Sequence, residues 1–129
     1  MEAPRILLIE DEVLIHELLA TEFAEAGFEI VAADDGDRAI AELEIDADRF
    51  RAVITDIKLG SGPNGWDVAR HARELLPDIP VIYITGDSTH EWSSKGVPNS
   101  VVIAKPFTPT QVTTAVSTLI TAADTRGTT

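Results

Sequence analysis

Five short apolar runs, separated by longer amphipathic stretches, constrain this chain more than any other feature. The runs occupy residues 5–9, 28–32, 52–55, 81–85 and 101–104. Most are almost wholly apolar and rich in Val and Ile, the pattern of strands covered on both faces. The second run is more mixed, which places it at a sheet edge. Between the runs the apolar residues fall at three- and four-residue steps. Ile15, Leu18, Leu19, Phe23 and Ala26 make one such stripe, and Gly27 stops it. Ala39, Ile40 and Leu43 begin a second. Ala69, Ala72, Leu75 and Leu76 form a third, which Pro77 closes. In the last, Thr108, Pro109 and Gln111 fit N-cap, N1 and N3 of a capping box, and Val112, Ala115, Val116, Leu119, Ile120 and Ala123 share one face. Residues 88–97 are polar, interrupted by Gly96 and bounded by Pro98, and carry the weakest helical signal.

Five strands alternating with five helices, at about 25 residues per unit, predict an α/β fold with a parallel sheet. Right-handed crossovers make an open, doubly wound sheet with helices on both faces the simplest arrangement. The 129 residues suit a single domain, assigned to residues 1–124, with 125–129 a frayed tail.

Charge narrows the function. Asp and Glu number 22 against 10 Lys and Arg, a formal net charge of -12. That balance argues against direct nucleic-acid binding, which needs clustered cations, and against docking on an anionic membrane. Cysteine is absent, which removes disulfides, thiolate metal sites and a Cys nucleophile. No apolar run approaches the ~20 residues needed to span a bilayer. The start carries Glu2 where a secretion signal would be positively charged. A cytoplasmic protein is expected.

In open α/β sheets ligands bind beyond the carboxyl ends of the strands. The first run leads into Glu10, Asp11 and Glu12. The third ends at Thr55 and Asp56, the fourth at Thr85, and the fifth at Lys105-Pro106. Two or three carboxylates, a hydroxyl and an ammonium should therefore meet at one edge. Two carboxylates about 4 Å apart repel by ~4 kcal/mol at an effective dielectric of 20, so a cation or raised pKa values must answer. Hard oxygen ligands with no His or Cys nearby favour Mg²⁺, and Lys105 adds charge for an anionic group. The chemistry implied is a carboxylate that takes or holds a phosphoryl group. Singly, Glu10-Asp11-Glu12 also reads as an acidic first helical turn and Asp56 as a cap. The joint placement is what favours the site.

The motifs Ile6-Leu-Leu-Ile-Glu-Asp-Glu12, Val53-Ile-Thr-Asp56, Pro80-Val-Ile-Tyr-Ile-Thr85 and Lys105-Pro-Phe107 resemble the receiver domain of bacterial two-component response regulators, of the single-domain type. The resemblance runs from Arg5 to about Ala123. It implies a flavodoxin-like fold with strand order 2-1-3-4-5. It makes Asp56 the phosphoacceptor, Thr85 the switch hydroxyl and Lys105 the phosphoryl-pairing cation. Glu10, Asp11, Asp56 and the backbone carbonyl of Lys58 become the Mg²⁺ ligands, and the Lys105–Pro106 bond is expected to be cis. The implied partners are a sensor histidine kinase or histidine phosphotransfer protein and a downstream protein target, with the chain a monomer or weak dimer. Such a receiver catalyses only its own phosphorylation and dephosphorylation and is not a metabolic enzyme.

Some features depart from that pattern. Val102 stands where many receivers carry an aromatic residue, so switching is expected to use Tyr83 or the loop after Gly86. Lys58 and Asp87, each two residues past a site residue, could pair over the site and slow hydrolysis. Gly60-Ser-Gly-Pro-Asn-Gly65 spells a dinucleotide-binding signature, yet Pro63 and the neighbouring Asp56 oppose a pyrophosphate, so a flexible loop is expected. His16, His71 and His90 are scattered and expected at the surface. Trp66 and Trp92 read as packing or partner contacts. An aspartyl phosphatase is the alternative of a different class, but Lys58 occupies the position where its acid–base Asp would stand.

Overall fold

The computed structural model describes residues 3–126. The elements are β1 (Arg5–Ile9), α1 (Val13–Glu25), β2 (Glu29–Ala33), α2 (Gly36–Asp46), β3 (Phe50–Asp56), α3 (Gly65–Leu75), β4 (Val81–Thr85), α4 (Trp92–Lys95), β5 (Val101–Ala104) and α5 (Pro109–Arg126). Short 3₁₀ turns occupy Ala47–Arg49 and Thr89–Glu91. The five strands form one parallel sheet in the order β2-β1-β3-β4-β5. This is the expected flavodoxin-like arrangement, with the mixed second run at an edge.

The near-continuous apolar runs are explained by two cores. Leu7, Ile9, Val53, Val81 and Tyr83 point to the face covered by α2 and α3, together with Ala39, Leu43, Val68, Ala69 and Ala72. Ile6, Leu8, Ala52, Ile54, Ile82 and Ile84 point to the other, against Leu19 and Phe23 of α1 and Val112 and Val116 of α5. Alternation along each strand thus buries both parities.

The helix ends follow the predicted stops. Gly27 adopts φ +92°, and the N–H groups of Gly27 and Phe28 donate to the Ala24 and Phe23 carbonyls, a Schellman closure of α1. Thr108 and Gln111 form the reciprocal pair expected at the start of α5, with the Thr108 N–H donating to Gln111 Oε1 at 2.7 Å. The helix continues through Arg126. Thr125 and Arg126 are its last residues, with Thr125 Oγ1 donating to the Thr121 carbonyl. Residues 127–129 lie outside the described residues.

Two weak regions are resolved differently. The segment after β4 yields only a 3₁₀ turn and the four-residue α4. Trp92 closes that turn over Gly96, where a Cβ would lie 2.4 Å from the indole. The glycine-containing stretch after β3 is not a loose loop. It lies against the start of α2, where a Cβ on Gly36 would meet the Pro63 carbonyl oxygen at 2.2 Å. Asn64 and Asp67 then cap α3 reciprocally. No described helix is long and apolar enough to cross a membrane.

Candidate functional site

Register brings the strand tips together. Ile9 lies beside Thr55, Asp56 beside Ile84 and Thr85 beside Ala104. Glu10 follows β1 directly and Lys105 follows β5. The tips surround an open cleft of about 520 Å³ lined by Asp11, Glu12, Asp56, Lys58, Thr85 and Lys105, with Gly86 and Asp87 at the rim.

Glu10 forms the floor. Its Oε1 accepts the Glu12 N–H at 3.1 Å, which ties the start of α1 to the site in place of an ordinary N-cap. Its Oε2 is buried with no hydrogen-bond partner and lies 3.5 Å from Lys105 Nζ. Burial, followed by the neighbouring Asp56 charge, holds the Glu10 carboxyl above the usual glutamate range against the pull of the Glu12 N–H and Lys105. Carboxylate oxygens of Glu10, Asp11 and Asp56 all lie within 4.8 Å of one another. The three oxygens and the orphaned Glu10 Oε2 fit a hard divalent cation such as Mg²⁺, with neither sulfur nor imidazole in the set.

Asp56 is largely buried but opens to the cleft. Its Oδ1 accepts the Ile57 N–H at 2.7 Å, and its Oδ2 accepts from Lys105 Nζ at 3.0 Å. Lys105 also stands 3.6 Å from Glu12, so one ammonium faces three carboxylates. Burial works to lower the Lys105 pKa. The hydrogen bond to Asp56 and the charges of Asp56, Glu10 and Glu12 outweigh it, and the ammonium is held above its ordinary range. The Lys105–Pro106 peptide is cis.

Thr85 is buried beside Asp56 at the end of β4. Its Oγ1 accepts the N–H groups of Asp87, at 3.2 Å, and Ser88, at 2.9 Å, so the hydroxyl oxygen organises the turn that follows. Lys58 Nζ donates to Asp87 Oδ2 at 2.5 Å across the rim, the pair expected from their positions. Each shifts the other toward its charged form: the hydrogen bond raises Lys58 and lowers Asp87.

All the expected side chains therefore meet at one edge. Ser88 carries no signal in the sequence that marks it for the site, whereas Glu12 stands in the acidic run after β1. Gly65 belongs to the glycine signature discounted as a nucleotide loop, and its role is steric. A Cβ there would lie 2.3 Å from the Asp56 carbonyl oxygen, so α3 starts hard against the end of β3. Tyr83 and Val102 are in register on neighbouring strands and pack on the same core. Tyr83 packs against Trp66 in a tilted arrangement, with centroids 4.7 Å apart. The Tyr83 hydroxyl accepts the Val97 N–H at 3.1 Å. Trp92 is about one-third exposed and donates to Ser100. Of the histidines, His71 pairs with Glu44 at 2.6 Å, His90 is exposed, and His16 is half-buried; none lines the cleft.

Comparison with known proteins agrees with this geometry. The family model of the response regulator receiver domain matches residues 6–117. A receiver protein from Sinorhizobium medicae superposes with a TM-score of 0.91 at 43% identity, over 95% of this chain and 98% of that one. The response regulator receiver protein CpdR of Brucella abortus is 30% identical over 105 residues, 80% of this chain and 85% of its own length. The probable transcriptional regulatory protein SilR of Salmonella typhimurium is 33% identical over 118 residues, covering 90% of this chain. The chain spans half the length of SilR and 18% of a two-component response regulator from Arabidopsis thaliana. Strand order, site geometry and the match over residues 6–117 lead to one conclusion: the chain belongs to the response regulator receiver domain family.

Proposed function

We propose that Asp56 accepts a phosphoryl group from the phosphohistidine of a sensor histidine kinase or histidine phosphotransfer protein. The modified domain would then switch a protein contact or pass the group along a relay in the cytoplasm. The observation that carries this reading is the Asp56 carboxylate. It opens to the cleft with one oxygen held by the Ile57 N–H and the other by Lys105, beside the two further carboxylates of Glu10 and Asp11. An Asp56 oxygen attacks phosphorus, a P–O bond forms as the P–N bond breaks, and the departing imidazole takes a proton from solvent. Lys105 offsets charge on the phosphoryl oxygens. Glu10, Asp11, Asp56 and the Lys58 carbonyl would hold Mg²⁺, which when bound supplies further neutralisation of that charge.

The product is an acyl phosphate, which biases the domain between two states. Thr85 carries the change outward. Its oxygen already holds the Asp87 and Ser88 N–H groups. A Thr85 that turns to donate to a phosphoryl oxygen therefore draws the following turn with it. Beneath it, Tyr83 and its bond to Val97 link that movement to the segment before β5.

The test is incubation with a small phosphoramidate donor and Mg²⁺, read by intact mass. One added phosphoryl group is expected, absent in Asp56→Asn and suppressed by a chelator. A wild-type protein that gains no mass with any donor contradicts the proposal.

A further inference from the structure

The Glu12 carboxylate stands between two positive neighbours and serves one of them. Lys105 Nζ lies 3.0 Å from Asp56, 3.5 Å from Glu10 and 3.6 Å from Glu12. Glu12 is the most distant of the three, and it is exposed where Glu10 and Asp56 are buried. Its other positive neighbour is the start of α1, of which it is the N-cap residue. α2, α3 and α5 begin on side-chain caps from Asp35, from Asn64 with Asp67, and from Thr108 with Gln111. The Glu12 side chain makes no such cap, and the first turn of α1, Val13-Leu14-Ile15, holds no acid. Asp11 has a carboxylate oxygen in the group formed with Glu10 and Asp56. The orphan N–H groups of α1 and the positive end of its dipole are thus left without the acid that adjoins them in sequence.

We infer that Glu12 is a positioning residue with two alternative seats: it holds Lys105 in the resting domain and moves to the N-terminus of α1 when Lys105 turns to a phosphoryl group on Asp56. The handover rests on the proposed modification of Asp56; the competition for Glu12 does not. A phosphoryl group replaces one negative charge with roughly two. Lys105 is drawn further toward it, and Glu12, the most solvated of the three carboxylates, is left facing like charge. The helix N-terminus then offers a negative side chain the stabilisation that Lys105 has withdrawn. The Glu12 N–H is held by Glu10 Oε1, so the backbone is anchored while the side chain changes seat. The state of Asp56 thereby reaches α1, whose Val13 and Leu14 are exposed, by a route separate from Thr85.

Amide hydrogen exchange at Leu14 and Ile15, read by NMR on the full chain, tests it, because these are the N–H groups that an N-cap side chain accepts. In metal-free buffer without phosphodonor, Lys105→Met frees Glu12 and should slow exchange at both amides about two- to five-fold, with Leu19 in the middle of α1 unchanged. Lys105→Met combined with Glu12→Gln should lose the effect, since the two side chains act as a pair. Circular dichroism confirms that both variants are folded. Wild type treated with a small phosphoramidate donor and Mg²⁺ should show the same slowing once its mass records the added phosphoryl group, with no variant involved. Amides unchanged in Lys105→Met overturn the inference. So does slowing that persists with Glu12→Gln, or an added phosphoryl group with no change at Leu14 and Ile15. A wild type that gains no mass contradicts the proposed function instead, because Lys105→Met tests the competition without a donor.

Discussion

Neutralising Glu10 should strengthen the metal-free protein and weaken its response to Mg²⁺, a reversal that separates a metal-holding carboxylate from a merely structural one. Glu10→Gln keeps the volume and keeps Oε1 as acceptor for the Glu12 N–H. It removes the charge on Oε2, which has no hydrogen-bond partner. Without metal, the charge gains ~5 kcal/mol from Lys105 at 3.5 Å and loses at least ~3.5 kcal/mol to each of Asp56 and Asp11, whose oxygens lie within 4.8 Å, at an effective dielectric of 20. These opposing terms leave a balance of ~2 kcal/mol favouring the neutral side chain, to which burial of the charge adds. Relaxation reduces such figures, so a gain of about 1–2 kcal/mol, or ~3–8 °C in Tm for a domain of this size, is expected near neutral pH. The sign of the pH dependence follows from the raised Glu10 pKa. Its contribution to wild-type stability is fully present below the unfolded value of 4.5 and is lost as pH rises through the folded one. The advantage of Gln should therefore grow with pH and vanish in acid. Thermal melts with and without Mg²⁺ supply the assay. Saturating Mg²⁺ at about 100 times its dissociation constant should stabilise wild type by ~2.7 kcal/mol, whereas the variant at the same concentration should gain much less. A variant less stable than wild type without metal, and equally stabilised by it, refutes this electrostatic account.

Other outcomes follow from the same contacts. Lys58→Ala and Asp87→Ala each break the pair across the rim and should shorten the acyl-phosphate lifetime several-fold by opening a path for water; an unchanged decay of the phosphorylated mass disproves the barrier. Tyr83→Phe leaves the Val97 N–H without its acceptor and should cost ~1–2 kcal/mol in denaturant unfolding, while retained phosphorylation with a lost Trp fluorescence change would place Tyr83 in the switch. Gly65→Ala forces a methyl against the Asp56 carbonyl and should cost more than ~2 kcal/mol and slow phosphorylation, since the backbone under the acceptor must shift. Phe23→Ala, far from the cleft, should cost ~3–5 kcal/mol with the modification site intact.

What was legible in the sequence followed from local physics. The Val and Ile runs announced strands because both faces of the sheet are covered. Gly27 and the Thr108–Gln111 box announced helix ends because orphan backbone groups need partners there. Glu10, Asp11, Asp56, Thr85 and Lys105 could be placed together because strand tips of a parallel sheet share one edge. Three features depend on distant contacts and left no local mark. Gly36 and Pro63 meet only once α2 and the loop after β3 are both in position, so that loop read as flexible. Ser88 looked like any polar turn residue, but its N–H completes the hold of Thr85 on the next turn. The reach of α5 to Arg126 was hidden because Asp124, Thr125 and Arg126 carry no apolar period. Asp124 is held by a two-pronged contact from Arg51, 73 residues away in sequence.

The central claim is that the carboxylate at the end of β3 is the atom group that receives phosphate. Borohydride reduction of the phosphodonor-treated protein, followed by peptide mapping, tests it most directly, because the hydride converts an aspartyl phosphate to homoserine where it stands. Homoserine at position 56, dependent on donor and Mg²⁺, is the expected result. Homoserine at Asp11 or another acidic residue, with Asp56 recovered unchanged, contradicts it.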